Sequence, residues 1–277
     1  MKSFHLRRTW MTSALLAAGL IVLYFPLAWM VSTALKPLSQ AFDGQLIPAA
    51  PSLANFSAIF APTSASPVLR WLGNSLIAAS GASVLVVTVD SLCAFALARL
   101  RFPGRRIVFY VIVASLMVPF IAVLIPLYEE FSGLNLLNTY WALILPYAAN
   151  AFGVFLLYQF FLGVPRELEE AAMADGASRL QLWWKVFVPI SIAPMATLGL
   201  ITFMNVYNDF LWPLVATTSQ NMHTLTVGIA LMAIGQYSTN YPLLMALTLC
   251  SVVPILIAFI FAQRQLVEGI STTGLTL

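Results

Sequence analysis

The sequence predicts an all-α integral membrane protein with six membrane-spanning helices, and three observations support this prediction. Of the 277 residues, 61% are hydrophobic and only 8% are charged, whereas a soluble domain carries about 25% charged residues. The mean hydropathy is +0.91. Apolar runs also reach the roughly 20 residues that a helix needs to cross a bilayer. Because lipid offers backbone groups no hydrogen-bond partners, these runs must be helical.

The charged residues divide the chain into six apolar segments, which are the predicted spans. They cover approximately residues 11–33, 71–97, 107–128, 138–162, 187–209 and 242–263. The first follows a basic N-terminus, as the core of a signal peptide would, but the apolar run from Thr9 to Leu35 exceeds the roughly 7–15 residues of such a core. We therefore expect a retained span, with cleavage as the weaker alternative, and a single membrane domain over residues 1–277.

Six spans place both termini on the same side of the membrane, and the basic residues indicate that this side is the cytoplasm. With the N-terminus inside, eleven of the 13 lysines and arginines lie in cytoplasmic segments, and only Lys36 and Arg70 lie outside. This distribution follows the positive-inside rule. Residues 34–70 then form an outer loop, whose prolines favour a cap of turns and short helices. Residues 163–186 form the cytoplasmic loop between spans four and five.

Prolines within or at the ends of the spans predict kinks, because proline removes a backbone hydrogen bond from a helix. They are Pro26, Pro119, Pro126, Pro146, Pro189, Pro194 and Pro254. Membrane helices tolerate proline better than soluble helices do. Together these prolines favour, weakly, a curved bundle around a pathway.

The sequence lacks the motifs of several kinds of site. No Gly-Lys pair occurs, so the chain has no P-loop for ATP, and neither HExxH, GxSxG nor a Cys/His ligand set is present. No basic cluster is interleaved with aromatics, which argues against nucleic acid binding. Cys93 and Cys250 are expected to be packing residues, and His5 and His223 to be surface residues. The sequence thus predicts neither an enzyme nor a metal site.

One charged segment, Glu167–Ile190, interrupts this apolar sequence. Pro165 favours a helix start, and the glutamates after it lie where the helix dipole stabilises carboxylates. Gly176 permits a turn with positive φ, and Ser178 can cap a second helix. These signals predict a helix, a glycine turn and a second helix on the cytoplasmic surface. Physical reasoning alone leaves two interpretations open: an amphipathic linker with solvated charges, or a docking surface with Glu170 captured by a basic partner group.

The charged segment resembles the EAA loop of ABC importer permeases. The pattern of that loop is EAA, three residues, Gly, nine residues and then I-x-L-P. Here Glu170–Ala172 is followed by three residues, Gly176, nine residues and Val186–Pro189, with valine at the Ile and Leu positions. The agreement in spacing, together with a predicted cytoplasmic position between spans four and five, makes this resemblance specific.

Nearly the whole chain is similar to the carbohydrate-type permeases of this superfamily, and most of all to the maltose-type second permease subunit. The similar stretches are Ser32–Pro37, Asn55–Phe60, Gly73–Leu76, Ser91–Arg106 and Val206–Val215. In the last of these, Tyr207 stands where members of the family usually carry tryptophan.

The resemblance implies a transport subunit that binds no cofactor itself. Two separate ABC ATPase subunits would bind ATP and Mg²⁺, a second permease subunit would complete the pathway, and an extracytoplasmic solute-binding protein would deliver the cargo. The implied location is the bacterial or archaeal cytoplasmic membrane, with lipid around a multi-pass chain. The residues implied to couple the chain to the ATPase are Glu170, Ala171, Ala172, Asp175, Gly176 and Pro189, and closure of the ATPase pair would move them as one rigid body.

Polar and aromatic residues of the predicted spans are the candidates for lining the transport pathway. They are Tyr147, Asn150, Asn205, Tyr207, Asn208 and Asp209. Amides and ring faces without a buried lysine or arginine favour a neutral polyhydroxylated solute over an anion. Packing between helices is the alternative role for any one of these residues. Asp90 is the one charge well inside a span; we expect it to bond a neighbouring helix or serve a function other than cargo binding.

The sequence therefore predicts a permease subunit of an ABC importer that moves a mono- or oligosaccharide by alternating access. Two alternatives stay open. One is an importer of the same class for glycerol phosphate or another small polar solute. The other is a secondary transporter driven by protons or sodium, for which only Asp90 offers a coupling group near mid-membrane.

Overall fold

The computed structural model describes residues 2–61, 67–235 and 239–273, and all regular structure in these ranges is helical. The helices are α1 (Lys2–Ala34), α2 (Ala54–Phe60), α3 (Val68–Arg99), α4 (Arg105–Ser115), α5 (Phe120–Gly133), α6 (Tyr140–Ile144), α7 (Ala151–Leu162), α8 (Arg166–Ala174), α9 (Arg179–Leu182), α10 (Val188–Ile190), α11 (Ile192–Asn208), α12 (Leu211–Ala216), α13 (Leu225–Ile234) and α14 (Tyr241–Thr273). Short 3₁₀ turns cover Leu38–Gln40 and Leu145–Tyr147, and a π-helical turn covers Trp183–Phe187. The predicted all-α class is confirmed.

Three helical stretches are long and apolar enough to cross a membrane without a break. They are Leu15–Ala34 within α1, the whole of α3, and Tyr241–Ile260 within α14, and they match predicted spans one, two and six. Three further stretches qualify only when two bent helices are counted together. The described residues therefore contain three to six candidate spans, as expected of a multi-pass membrane protein. The count of six and the cytoplasmic termini stay predictions.

Predicted spans three, four and five are not continuous helices. The axes bend by 101° between α4 and α5, by 47° between Tyr140–Tyr147 and α7, and by 82° between Arg179–Ile190 and α11. Pro119 and Pro146 lie at or near two of the bends, and the missing N–H of each proline removes a helical hydrogen bond there. At the third bend, the hydroxyl of Ser191 donates to the carbonyl of Phe187 and so competes with the helical hydrogen-bond pattern.

Other prolines do not break their helices. Pro26, Pro126 and Pro254 lie inside α1, α5 and α14, which continue through them. A proline in a membrane span thus predicts a weakened hydrogen-bond ladder, and the surrounding packing determines whether the helix bends there.

Contacts along the chain divide it into two compact units, of which the first comprises Met1–Val68 and Gly228–Val253. The loop after α1 is organised by Lys36, whose ammonium group donates to Asp43 Oδ1 at 2.6 Å and to the carbonyl of Gln45. The Asn55 amide donates to the carbonyls of Ala34 and Lys36, at 2.8 Å each. These bonds hold the predicted mixture of turns and short helices in place; residues 62–66 of the predicted loop lie outside the described residues.

The second unit comprises Leu69–Val227 and Pro254–Leu277. Its larger core joins α3 and α7 to the charged segment through buried residues that include Val86, Phe95, Leu157, Phe161 and Phe187. A smaller core forms around Trp212, whose indole N–H donates to the carbonyl of Ala142 at 2.7 Å and whose ring meets Phe131 edge-on.

The loop that precedes α13 is pinned to the beginning of α3 within this second unit. The side-chain amide of Asn74 donates to the carbonyls of Asn221 and His223, at 2.9 Å each. His223 is 9% exposed, and its Nδ1 lies 3.0 Å from the hydroxyl oxygen of Thr217. The prediction of a surface histidine at position 223 is therefore wrong, because the backbone bonds to Asn74 draw this polar loop inward. The side chain of His5 lies outside the described residues.

Candidate functional site

The charged segment folds as two helices around a glycine turn. Helix α8 begins after Pro165 and ends at Ala174; Asp175 is its C-cap residue, and Gly176 follows with φ of +83°. Ser178 and Gln181 form a capping box at the start of α9: the Ser178 N–H donates to Gln181 Oε1 at 2.8 Å, and the Gln181 N–H donates to Ser178 Oγ at 3.3 Å. The local signals in the sequence thus produce the predicted helix, turn and helix.

An ion-pair network of Arg99, Glu169 and Arg179 fixes the charged segment to the rest of its unit. Glu169 Oε1 accepts from Arg179 Nη1 at 3.0 Å, and Glu169 Oε2 lies 3.8 Å from Arg99 Nη1. The Arg99 side chain is only 6% exposed, and its Nη2 donates to the carbonyls of Phe161 and Val164. One guanidinium therefore joins the end of α3, the end of α7 and helix α8.

The face of the charged segment that points inward is aromatic. The Phe187 ring meets Phe95 at 5.0 Å and Phe161 at 5.2 Å between centroids, both edge-on. The Arg99 guanidinium lies 5.1 Å from the centroid of the same Phe187 ring. Because a close-packed core transmits displacement instead of absorbing it, a shift of the segment must also move α3 and α7.

The residues that the resemblance assigns to coupling lie on different surfaces of the charged segment. Glu170 is exposed and lines a cavity together with several arginines, whereas Asp175 and Gly176 line a separate cavity of about 310 Å³. Ala171 is exposed, and Ala172 packs half-buried against the core. Pro189 is exposed within α10 and lines neither cavity.

A second candidate region is a cavity of about 360 Å³ in the same unit, which we call the polar cavity after the four polar side chains in its lining. It is lined by Phe120, Tyr147, Met204, Asn205, Asn208 and Asp209, which include four of the six predicted pathway residues. The Tyr147 hydroxyl donates to Asp209 Oδ2, while Asp209 Oδ1 accepts the N–H of Leu211 at 3.1 Å. Both amide side chains are exposed toward this space. The polar cavity thus presents two amides, a phenol and one carboxylate.

The other two predicted pathway residues lie elsewhere. Asn150 caps α7, because its Oδ1 accepts the N–H of Phe152 at 2.9 Å. Tyr207 is buried, and its ring stacks on Phe203 with centroids 5.8 Å apart. Asn208, next to Tyr207 in α11, lines the polar cavity, but the helical turn directs the Tyr207 side chain to another face.

Asp90 lies fully buried in the middle of α3. Its Oδ1 accepts the N–H of Asn150 at 3.0 Å, and its Oδ2 has no hydrogen-bond partner among the described residues. Gly153 leaves room for this carboxylate, since a Cβ there would collide with Oδ2. Asp90 therefore supports the beginning of α7, next to the bend in predicted span four. This is the bond to a neighbouring helix that the sequence led us to expect.

Sequence reasoning missed the structural roles of Arg99 and Glu169. The available signal was positional: Arg99 ends an apolar helix, and Glu169 lies in the first turn of the next charged helix. Among the described residues, no group of three or more His, Cys, Asp or Glu side chains is placed to hold a metal ion.

Comparison with known proteins gives a family and several full-length relatives. Residues 90–271 match the family described as binding-protein-dependent transport system inner membrane component. The arabinooligosaccharides transport system permease protein AraQ of Halalkalibacterium halodurans is 33% identical over 270 residues, which covers 96% of each chain. The sulfoquinovosyl glycerol transport system permease protein SmoH of Agrobacterium fabrum is 35% identical and covers 95% of this chain and 91% of the relative.

Another relative has a phosphorylated cargo in its name. The sn-glycerol-3-phosphate transport system permease protein UgpE of Shigella flexneri is 34% identical, covering 95% of this chain and 97% of the relative. A solved structure of a bacterial ABC transporter involved in the import of alginate matches with a TM-score of 0.76 and 21% identity, over 92% of this chain and 94% of that chain. At that identity, the structural match shows a shared fold.

Proposed function

Because the chain belongs to the family of binding-protein-dependent transport system inner membrane components, we propose that it is the permease subunit of an ABC importer for a neutral sugar. It has six spans with both termini in the cytoplasm, and it moves the sugar inward by alternating access. Separate ATPase subunits bind ATP and Mg²⁺ and supply the work. The chain itself is a transport subunit and has no ATPase site.

The construction of the charged segment carries this proposal. Glu170 and Ala171 are exposed on α8, while Glu169, one residue away, is held by two arginines. A surface that docks on a moving partner needs both properties: accessible contact groups and a firm connection to the helices that must move. An amphipathic linker with solvated charges needs no buried arginine at its base.

The same connection provides a path from the ATPase to the transport pathway. Movement of α8 is passed to α3 and α7 through Arg99 and the Phe187 ring. The charged segment also continues through an 82° bend into α11, whose far end carries Asn205 and Asn208. When the ATPase pair closes, it moves α8, and this movement tilts α11, the helix that lines the polar cavity.

The chemistry of the polar cavity supports a neutral cargo. Its lining includes the Asp209 carboxylate but neither lysine, arginine nor histidine among the described residues. A carboxylate, two amides and a phenol can each bond a sugar hydroxyl, whereas a phosphate or sulfonate would be repelled by Asp209. This chain is thus better matched to a cargo like the arabinooligosaccharides of one relative than to the glycerol phosphate of another.

Membership of the family supports the proposed partners. A second permease subunit completes the pathway, and an extracytoplasmic solute-binding protein delivers the sugar; in one structural neighbour such a transporter is bound to a periplasmic protein that carries an alginate pentasaccharide. Two ATPase subunits dock on the cytoplasmic face. The Glu170 carboxylate, Ala171, Ala172, Asp175 and Gly176 form the contact of this chain with one of them, with Pro189 at the start of span five.

Charge reversal at the docking surface tests the proposal. We expect Glu170→Lys to reduce sugar-stimulated ATP hydrolysis at least about tenfold in the complex reconstituted with its partner subunits. The reason is that two like charges facing each other across an interface cost several kcal/mol. Glu167→Lys is the matched control, because it makes the same change at an exposed position of α8 that does not line the cavity beside Glu170. Full stimulation in the Glu170 variant would refute its role in docking.

Cargo and energy source are tested in the same vesicles. We expect vanadate-sensitive uptake of a labelled neutral oligosaccharide that continues when ionophores collapse the proton and sodium gradients. Uptake of labelled sn-glycerol 3-phosphate in preference to the oligosaccharide would overturn the cargo assignment, and uptake that stops with the gradients would identify a secondary transporter.

A further inference from the structure

A cavity of about 600 Å³ lies beside the charged segment and carries a concentration of positive charge. Five arginines line it, at positions 99, 101, 105, 166 and 179, and we call it the arginine cavity. Two carboxylates, Glu169 and Glu170, also line it, which leaves a formal net charge of +3. In a chain with only 8% charged residues, no other described cavity has such an imbalance.

Internal ion pairs account for only part of this charge. Arg99 and Arg179 share Glu169, and Arg105 Nη1 donates to the carbonyl of Leu100 at 3.1 Å. Arg101 and Arg166 are exposed, and neither forms an ion pair with a described residue. Three guanidinium groups of the lining therefore face the cavity without a carboxylate partner.

Two further features increase the attraction of the arginine cavity for an anion. Arg99 is almost completely buried, yet its Nε–H has no acceptor among the described residues. Helix α4 begins at Arg105, which lines the cavity, and its N-cap residue Gly104, with φ of +79°, provides no side-chain cap for the first N–H groups. Free N–H groups and the helix dipole both favour negative charge at such an end.

The position of the arginine cavity points to the level of the lipid headgroups. The apolar helix α3 ends at Arg99, and the cavity lies where this hydrophobic stretch gives way to Leu100–Arg105. Basic cavities between membrane helices on the cytoplasmic side are suited to acidic headgroups. Arginine is the residue best able to bind phosphate, because its planar fork donates two parallel hydrogen bonds.

We propose that the arginine cavity binds a phosphate group, supplied either by an anionic phospholipid of the inner leaflet or by free inorganic phosphate. The proposal rests on the cytoplasmic orientation in the proposed function, but not on its cargo or ATPase partner. A bound phosphate joins Arg101 and Arg105 after α3 to Arg166 at the start of α8. Its occupancy thereby strengthens the attachment of the charged segment.

The test uses the purified full-length chain in detergent, titrated with equal amounts of phosphatidylglycerol and phosphatidylcholine and examined by native mass spectrometry. We expect one phosphatidylglycerol to be retained in preference to phosphatidylcholine. Arg101→Gln/Arg166→Gln should reduce that preference about tenfold or more, since each basic group near a lipid surface contributes severalfold to binding. Arg70→Gln/Lys185→Gln, which removes two exposed positive charges outside the cavity, should retain it.

A second arm distinguishes the source of the phosphate. Line broadening of inorganic phosphate in ³¹P NMR, with the chain in phosphatidylcholine alone, is expected from a free-phosphate site and should disappear in Arg101→Gln/Arg166→Gln. Either signal supports the proposal if it depends on these two arginines. The proposal is overturned if neither signal occurs, or if both double variants behave alike. Neither measurement involves transport or ATP hydrolysis, so its failure is distinguishable from failure of the proposed function.

Discussion

The charged segment and the polar cavity treat their carboxylates in opposite ways. At the base of the charged segment, Glu169 is enclosed between two arginines, and its side chain is only 13% exposed. In the polar cavity, Asp209 has a phenol and a backbone N–H as partners and no cation among the lining residues. The first arrangement satisfies the charge within the protein, and the second leaves it accessible to a ligand.

In the proposed function, this difference separates transmission of force from recognition of cargo. An ion-pair network in which Arg99 and Glu169 are enclosed resists displacement of one of them relative to the other, because an uncompensated buried charge is costly. An accessible carboxylate and amides exchange water for ligand hydroxyls at little cost. Three of the four predictions that follow, together with the Glu170 test above, are designed to break one arrangement while leaving the other unchanged.

The largest effect is expected from Arg99→Ala. This change leaves Glu169 partly buried with one cation and removes the donors to the carbonyls of Phe161 and Val164. Loss of one partner from a buried pair costs about 3–5 kcal/mol, so we expect the free energy of unfolding to fall by about that amount. Unfolding titrations with sodium dodecyl sulfate in mixed micelles measure it.

The control for this change is Arg106→Ala, which truncates an exposed arginine that lies outside the arginine cavity and forms no ion pair among the described residues. A surface substitution of this kind alters stability by no more than about 0.5 kcal/mol. Equal stability of the Arg99 variant and the control would mean that the ion-pair network contributes nothing to holding the segment.

Gly176→Val should affect transport more than stability. A β-branched residue at φ of +83° costs about 1–2 kcal/mol, and a Cβ at this position meets no atom within 4 Å, so backbone strain is the only penalty. Gly44→Val imposes the same kind of strain at φ of +70° outside the charged segment. We expect both variants to lose similar stability and only the Gly176 variant to lose sugar-stimulated ATP hydrolysis. Loss of stimulation in both would trace the defect to general destabilisation.

Tyr147→Phe is expected to weaken cargo recognition and spare the charged segment. The change removes the hydrogen bond from the phenol to Asp209, and a bond of this type contributes about 1 kcal/mol. We therefore expect the sugar concentration for half-maximal uptake to rise by about fivefold, while maximal ATP hydrolysis is retained.

Tyr140→Phe provides the comparison, since it removes a similar hydroxyl bond, to Asn74 Oδ1 at 2.7 Å, outside the polar cavity. If the two tyrosine variants shift half-maximal uptake equally, the polar cavity has no special part in recognition.

The smallest expected effect is a pH dependence from His223, which lies in neither region. Burial lowers the pKa of His223 below its ordinary value of about 6.5, so the unfolded chain binds a proton more readily than the folded chain. The resulting stability is present above pH 6.5 and declines as the pH falls toward the folded-state pKa. Unfolding titrations between pH 7.5 and pH 5 should show this decline, and His223→Gln should reduce it. An identical pH profile in that variant would assign the decline to other groups.

The parts of the molecule that local sequence determines were predictable. Helix, turn and helix in the charged segment follow from Pro165, Gly176 and Ser178, whose preferences act within a few residues of each position. The all-helical class follows from composition, because lipid permits few alternatives. Four of the predicted pathway residues also meet in one cavity, since amides and a carboxylate in an apolar chain are placed where polar groups can be satisfied.

The features that depend on distant contacts were not predictable. Pro119 and Pro126 look alike in the sequence, but only the first interrupts a helix, since packing around each site decides the outcome. His223 is a polar residue that is buried because Asn74, 149 residues away, binds the backbone of its loop. Arg99 likewise acquires its role from carbonyl groups more than 60 residues away.

The close fit of Asp90 to Gly153 limits which sequences this fold can accept. A side chain at position 153 would meet the Asp90 carboxylate and would also approach two methyl carbons of Leu198, at 2.8 and 2.9 Å. Enlarging position 153 therefore requires shorter side chains at positions 90 and 198 in the same step. In directed evolution of this chain for a new cargo, single-substitution libraries would record position 153 as intolerant, whereas libraries that vary the three positions together would recover variants there.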